Sequence, residues 1–160
     1  MTSPTAVESR LIAAHSEITY SPKVNACFQH SFFCQTSLPY RVVDTQREWS
    51  RKCGHLTLQV QAGYAMHKGV MTPVPLPSGP KARLILIHLM TEAVLNQGRE
   101  IDLRSNLTRF VKSLGIDTNG RNLQQMRDQV QRLASCTIRF VKKGNGHTEV
   151  VQGNLCDAFG

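Results

Sequence analysis

The sequence predicts an α+β fold: a winged helix-turn-helix preceded by an N-terminal β-rich extension. Three observations lead there. Apolar residues recur at helical spacing in three successive segments beyond residue 80. Two alternating segments joined by "KKGNGH" follow the last of them. A period-two segment, "GHLTLQVQAGYAM", lies upstream of the proline-rich stretch "TPVPLPSGP".

Taken in order, residues 1–20 form a flexible N-terminal arm with a short helix around "AVESRLIAAH". Residues 21–79 form the β-rich segment, packing on the domain or on a dimer partner. Within it "LPYRVV" reads as one short strand and "GHLTLQVQAGYAM" as another, with Leu56, Leu58, Val60 and Ala62 on one face. "TPVPLPSGP" carries four prolines within eight residues and is a connector, since proline lacks the donor that a helix or central strand needs. Residues 80–155 form the winged helix domain. "KARLILIHLMTEAVLNQG" is apolar around most of its circumference and predicts a buried helix over 81–97, stopped by Gly98. "EIDL" is a short extended piece. "SNLTRFVKSLG" sets Leu107, Phe110, Val111 and Leu114 on one stripe, with Ser105 as cap and Gly115 past the end. After the turn "IDTNG", the next helix aligns Leu123, Met126, Val130 and Leu133. "CTIRFV" and "TEVVQGN" are paired strands, and Asn145-Gly146 between them suits a tight turn that requires positive φ. Residues 156–160 are expected to be a tail, the start of a missing or truncated second domain.

The 160 residues are enough for one domain with a genuine core. The longest apolar run, "LILIHLM", is too short to span a bilayer, and the N-terminus has no secretory pattern. Five cysteines, an odd number, argue against a disulfide framework. The expectation is a cytoplasmic protein with free thiols and no membrane partner. The net charge of +8 favours polyanionic partners. Between Arg99 and Lys143 there are ten Lys/Arg against four Asp/Glu, which concentrates that charge in the helical half.

The third helix carries the chemistry. Opposite its apolar stripe lie Arg121, Gln125, Asp128 and Arg132, flanked by Gln124 and Gln129, with Asn119 and Asn122 at the N-terminal end. Amides pair bidentately with adenine and guanidiniums with guanine in the major groove. A recognition helix reads bases with its N-terminal half, which favours Arg121, Asn122 and Gln125. Any solvated helix face is polar too, but a merely solvated one tends towards Glu and Lys rather than glutamine. Arg139, Lys142, Lys143 and His147 surround the wing, whose basic hairpin tip suits phosphates or a minor groove. Lysines on exposed strands also serve simply to block edge pairing. Arg109 and Lys112 on the preceding helix are phosphate contacts or solvating charges.

Cys27, His30, Cys34, Cys53 and His55 raise the question of zinc. A structural site takes four ligands in two close pairs, and these spacings fit that poorly. The expectation is no metal, with these residues helping to build an N-terminal sheet or a dimer surface. No Gly-x4-Gly-Lys-Ser/Thr loop is present, Tyr20, Tyr40 and Tyr64 have no base beside them, and His88 reads as a core histidine. Neither catalysis nor a cofactor is expected.

At "FQHSFFCQTSLPYR", "REW", "LPSGPKARLILIHLMTEAV" and "LTRFVKSLGI…RNLQQMRDQVQRLASCTI" the chain resembles the plasmid-encoded RepA-type replication initiators, over about residues 27–158. The resemblance implies sequence-specific binding to double-stranded DNA at repeated origin sites, help in opening the duplex, and recruitment of host replication proteins, a helicase or initiator. It also implies repression of its own promoter as a homodimer. On this chain it implies recognition by Arg121, Asn122, Gln125 and Arg132 and wing contacts by Lys142 and Lys143. Initiators of this type are generally longer, with a second winged helix, so a fragment or a form that binds DNA without initiating is expected here. The alternative is a winged-helix transcriptional regulator that binds a promoter operator as a dimer. A module that binds protein alone would show no salt-dependent affinity for any duplex.

Overall fold

A computed structural model of the chain describes residues 9, 27, 29–41, 44–97, 101, 103–144 and 147–154. The expectations for the arm (Ser9 apart), the tail, Val42–Val43, Gly98 and the Asn145-Gly146 turn lie outside the described residues. The element order is α1 (Ser31–Gln35), β1 (Glu48–Cys53), β2 (Leu56–Gln61), β3 (Tyr64–His67), β4 (Val70–Pro73), α2 (Gly79–Asn96), α3 (Leu103–Ser113), α4 (Gly120–Ser135), β5 (Thr137–Lys143) and β6 (Thr148–Asn154). The fold is α+β, with antiparallel sheets.

One four-stranded sheet, ordered β1-β2-β5-β6, unites the two halves of the chain. Leu56 pairs with Lys142, and Gln61 with Thr137. Alternation then decides the faces: Leu56, Leu58, Val60, Ile138 and Phe140 point inward and are buried. They meet Ala82, Ile85 and Leu86 of α2, Leu107, Phe110 and Val111 of α3, and Met126, Val130 and Leu133 of α4 in one continuous core. Each of these Val, Leu, Ile, Phe and Met side chains is worth roughly 1.5–3 kcal/mol of burial. The second sheet is the hairpin β3–β4, turned at Lys68-Gly69 with positive φ at both residues.

Several elements differ from expectation. "GHLTLQVQAGYAM" is two strands rather than one, broken at Ala62-Gly63. There Arg47 donates to the carbonyls of Ala62 (3.0 Å), Gly63 (2.8 Å) and Val74 (2.9 Å), turning the backbone out of the sheet. "LPYRVV" is not a strand over Leu38–Arg41. Its carbonyls are taken instead by Arg83, which donates to Leu38 O at 3.0 Å, and by Gly79 N, which donates to Pro39 O at 2.9 Å. The strand that borders β2 is β1, and its sequence "EWSRKC" hides it, because an edge strand with only Trp49 half-buried shows no apolar alternation.

Residues 31–35 form a helix, not sheet, with the imidazole Nδ1 of His30 accepting from Phe32 N at 3.2 Å as its cap. Phe32 and Phe33 pack on Phe140 with ring centroids 5.0 and 4.9 Å away. Cys27 and Cys34 are exposed rather than buried among these aromatics. Ser105 lies inside α3, which starts two residues earlier at Leu103. Ile101 belongs to no strand, and the place beside β5 that a short strand there would take is filled by β2. Helix α2 starts at Gly79 and is buried along one side only; Val94 and Leu95 are exposed at its end, where the core stops. Strand β4 extends to Pro73, so the connector is shorter than its prolines suggest.

Candidate nucleic-acid interface

Helices α3 and α4 are joined by a short turn. Gly115 adopts φ +67, its N–H donates to Lys112 O at 3.0 Å, and Ile116 N donates to Val111 O at 3.3 Å, closing α3. Asn119 caps α4. Its Oδ1 accepts from Asn122 N at 2.9 Å and its Nδ2 donates to Asp117 Oδ2 at 2.8 Å, so both ends of this amide serve the helix start.

The polar surface of α4 divides in two. On the side facing α2, Lys81 Nζ donates to Asn122 Oδ1 at 3.1 Å and also to Gln125 Oε1. Gln129 Oε1 accepts from Ser78 N at 3.1 Å, and Arg132 donates to Leu76 O at 3.3 Å. Asn122 further donates through Nδ2 to Asp117 O at 2.9 Å. The other side is solvent-facing: Arg121, Gln124, Arg127, Asp128 and Gln131 are all exposed, with Gln124 donating to Asp128 at 2.8 Å. Of the candidate DNA-binding residues of this helix and its cap, Asn119, Arg121, Gln124, Gln125 and Asp128 are thus exposed, while Asn122 and Arg132 are half-buried and tied to neighbouring elements.

Arg109 and Lys112 are exposed on α3. At 100° per residue both lie away from the Leu107–Phe110–Val111 stripe that packs in the core. At the ribbon end, Lys142, Lys143 and His147 are exposed, and Gly144 N donates to His147 O at 2.8 Å to close the loop. Successive side chains alternate, so Lys142 and Lys143 leave opposite faces of the ribbon. Lys143 N also donates to His55 O at 2.9 Å, bracing the ribbon tip against the β1–β2 turn.

Arg139 lies within β5, back from the tip. It sits on the open face of the sheet, its Nε donating to Gln152 Oε1 at 2.8 Å, beside a groove of about 240 Å³ lined by Glu48, Ser50, Gln59, Gln61 and Thr137. Two cations near α4 escaped the sequence reading. Arg127 lies between the apolar stripe and the exposed face, a position that periodicity leaves undecided. Lys81 belongs to another helix, so nothing in the spacing of α4 could have found it.

Among the described residues, no group of three or more His, Cys, Asp or Glu is placed to hold a metal ion, and no helix is long and apolar enough to cross a membrane. His88 is half-buried and stacks on Phe110 at 4.1 Å between ring centroids. Its pKa is lowered by burial, with nearby Glu92 acting in the opposite direction.

The described residues thus form an α+β domain in which a paired helix and a ribbon present basic and amide side chains to solvent. The family of plasmid encoded RepA proteins matches residues 76–157, and the chain belongs to that family. Its role is accordingly one connected with plasmid replication. No curated protein and no solved structure matches the chain.

Proposed function

We propose that the chain binds double-stranded DNA sequence-specifically at a plasmid origin, serving replication initiation and copy control without itself being an enzyme. In this reading α3 and α4 are the helix-turn-helix pair, α4 enters the major groove, and β5–β6 is the wing. The observation that supports it most is the exposed edge of α4. Arg121, Gln124 and Gln125 stand clear of the core at the N-terminal half of the helix, where base contacts concentrate. Arg109 and Lys112 on α3, and Lys142, Lys143 and His147 on the wing, supply contacts to phosphates on either side. Arg139 contributes less directly, since it is committed to Gln152 on the sheet. Host replication proteins and a second copy of the chain are the partners this role needs.

Footprinting on origin DNA tests the reading. The expected result is protection of tandem repeats, with affinity falling steeply as salt rises. Protection of a promoter palindrome alone would assign the chain to transcriptional regulation instead, and absence of salt-dependent binding to any duplex would exclude both.

A further inference from the structure

We infer that Lys81 sets the base preference of α4, holding the Gln125 amide so that it donates to guanine. The inference deepens the DNA-binding reading and rests on it.

Lys81 stands in the first turn of α2, in the segment "GPKARL". Its ammonium carries three donors and no acceptor, so both amide groups that meet it must turn their oxygens inward. Asn122 Oδ1 lies 3.1 Å away, and Gln125 Oε1 is also hydrogen-bonded to it. Asn122 has its Nδ2 engaged with Asp117 O as well, so both ends of that amide are occupied within the protein. Gln125 differs. It is exposed, and its Nε2 makes no hydrogen bond among the described residues.

A free glutamine pairs with adenine by accepting from N6 and donating to N7. Here the acceptor half faces an ammonium. An adenine approaching in that geometry would set its own N6 donors against the positive charge. Guanine offers two acceptors, N7 and O6, on the same edge. Nε2 of Gln125 and the third N–H of Lys81 form a matched pair of donors for them. Lys81 is therefore a specificity-determining residue contributed by a helix outside the helix-turn-helix pair.

Selection from random duplexes at fixed salt, with wild type, Lys81→Met, Lys81→Arg, Gln125→Ala and the Lys81→Met/Gln125→Ala double variant, tests this. Wild type is expected to prefer guanine at one position by about 5- to 150-fold. Lys81→Met frees Oε1 and should move that position towards adenine. Lys81→Arg keeps charge and donors and should retain guanine, which also controls for folding. Gln125→Ala should abolish preference at that position, and the double variant should match it. The inference is overturned if Lys81→Met leaves the position unchanged, if Lys81→Arg loses guanine, or if Lys81→Met weakens all duplexes alike and lowers the salt slope by about one, the signature of a phosphate contact. Failure of wild type to enrich any sequence would instead remove the DNA-binding reading itself.

Discussion

A Cβ placed on Gly63 would overlap the Ser135 carbonyl oxygen and stand 2.8 Å from the carbonyl carbon, both of them backbone atoms that have little room to move. Gly63→Ala should therefore cost about 1–3 kcal/mol, as overpacking does, measured by urea denaturation. A variant as stable as the parent would show that the close approach of the β2–β3 link to the end of α4 is not needed. His88 offers a second expectation at this scale. Its folded-state pKa lies below the ordinary 6.5, so the unfolded chain binds the proton more readily. The stability contributed by keeping this ring neutral is present above pH 6.5 and is lost as pH falls through that value towards the folded-state pKa. Denaturant midpoints of wild type and His88→Phe at neutral and mildly acidic pH should show the larger acid-induced loss in wild type. Equal losses would mean that this imidazole carries none of the pH dependence.

At the scale of elements, α4 separates what can be read in a sequence from what cannot. Met126, Val130 and Leu133 were legible as its buried stripe, because their spacing repeats with the helix. The division of its polar surface was not. Asn122 and Gln125 look as free as Gln124 in the sequence, yet a lysine 41 and 44 positions away holds both. Strand β1 was missed for a related reason: an edge strand buries too little to reveal a period. If α4 reads bases as proposed, Arg121→Ala should relax preference at a particular base at a cost of about 1–3 kcal/mol, read from duplex selection. On the same proposal, Lys142→Ala and Lys143→Ala at the β5–β6 ribbon should each weaken binding to all duplexes and reduce the salt slope by about one. Sequence-selective losses from the lysines would reverse the two roles.

At the scale of the molecule, the three helices and the β5–β6 ribbon were legible, but their dependence on the N-terminal half was not. Strand β2 carries Leu56, Leu58 and Val60 into the core and sits between β1 and β5. Leu58 is fully buried, and Leu58→Ala should destabilise the whole chain by about 2–5 kcal/mol in urea titration. A fragment spanning residues 76–157, the region matched by the family, should fail to melt cooperatively by circular dichroism, since β5 would lose a partner along its full length. A cooperative melt from that fragment would make the upstream strands an accessory.

The pairing of Leu56 with Lys142 also bears on timing. On a chain emerging from the ribosome, β2 is exposed long before β5 exists to cover it, and distant pairings of this kind close slowly. Helices α2–α4 can coil as they emerge, but the braced ribbon cannot be assembled until Lys142 is clear of the exit tunnel. On the proposed role, competence to grip a duplex should therefore arrive all at once and late in synthesis, rather than grow with chain length.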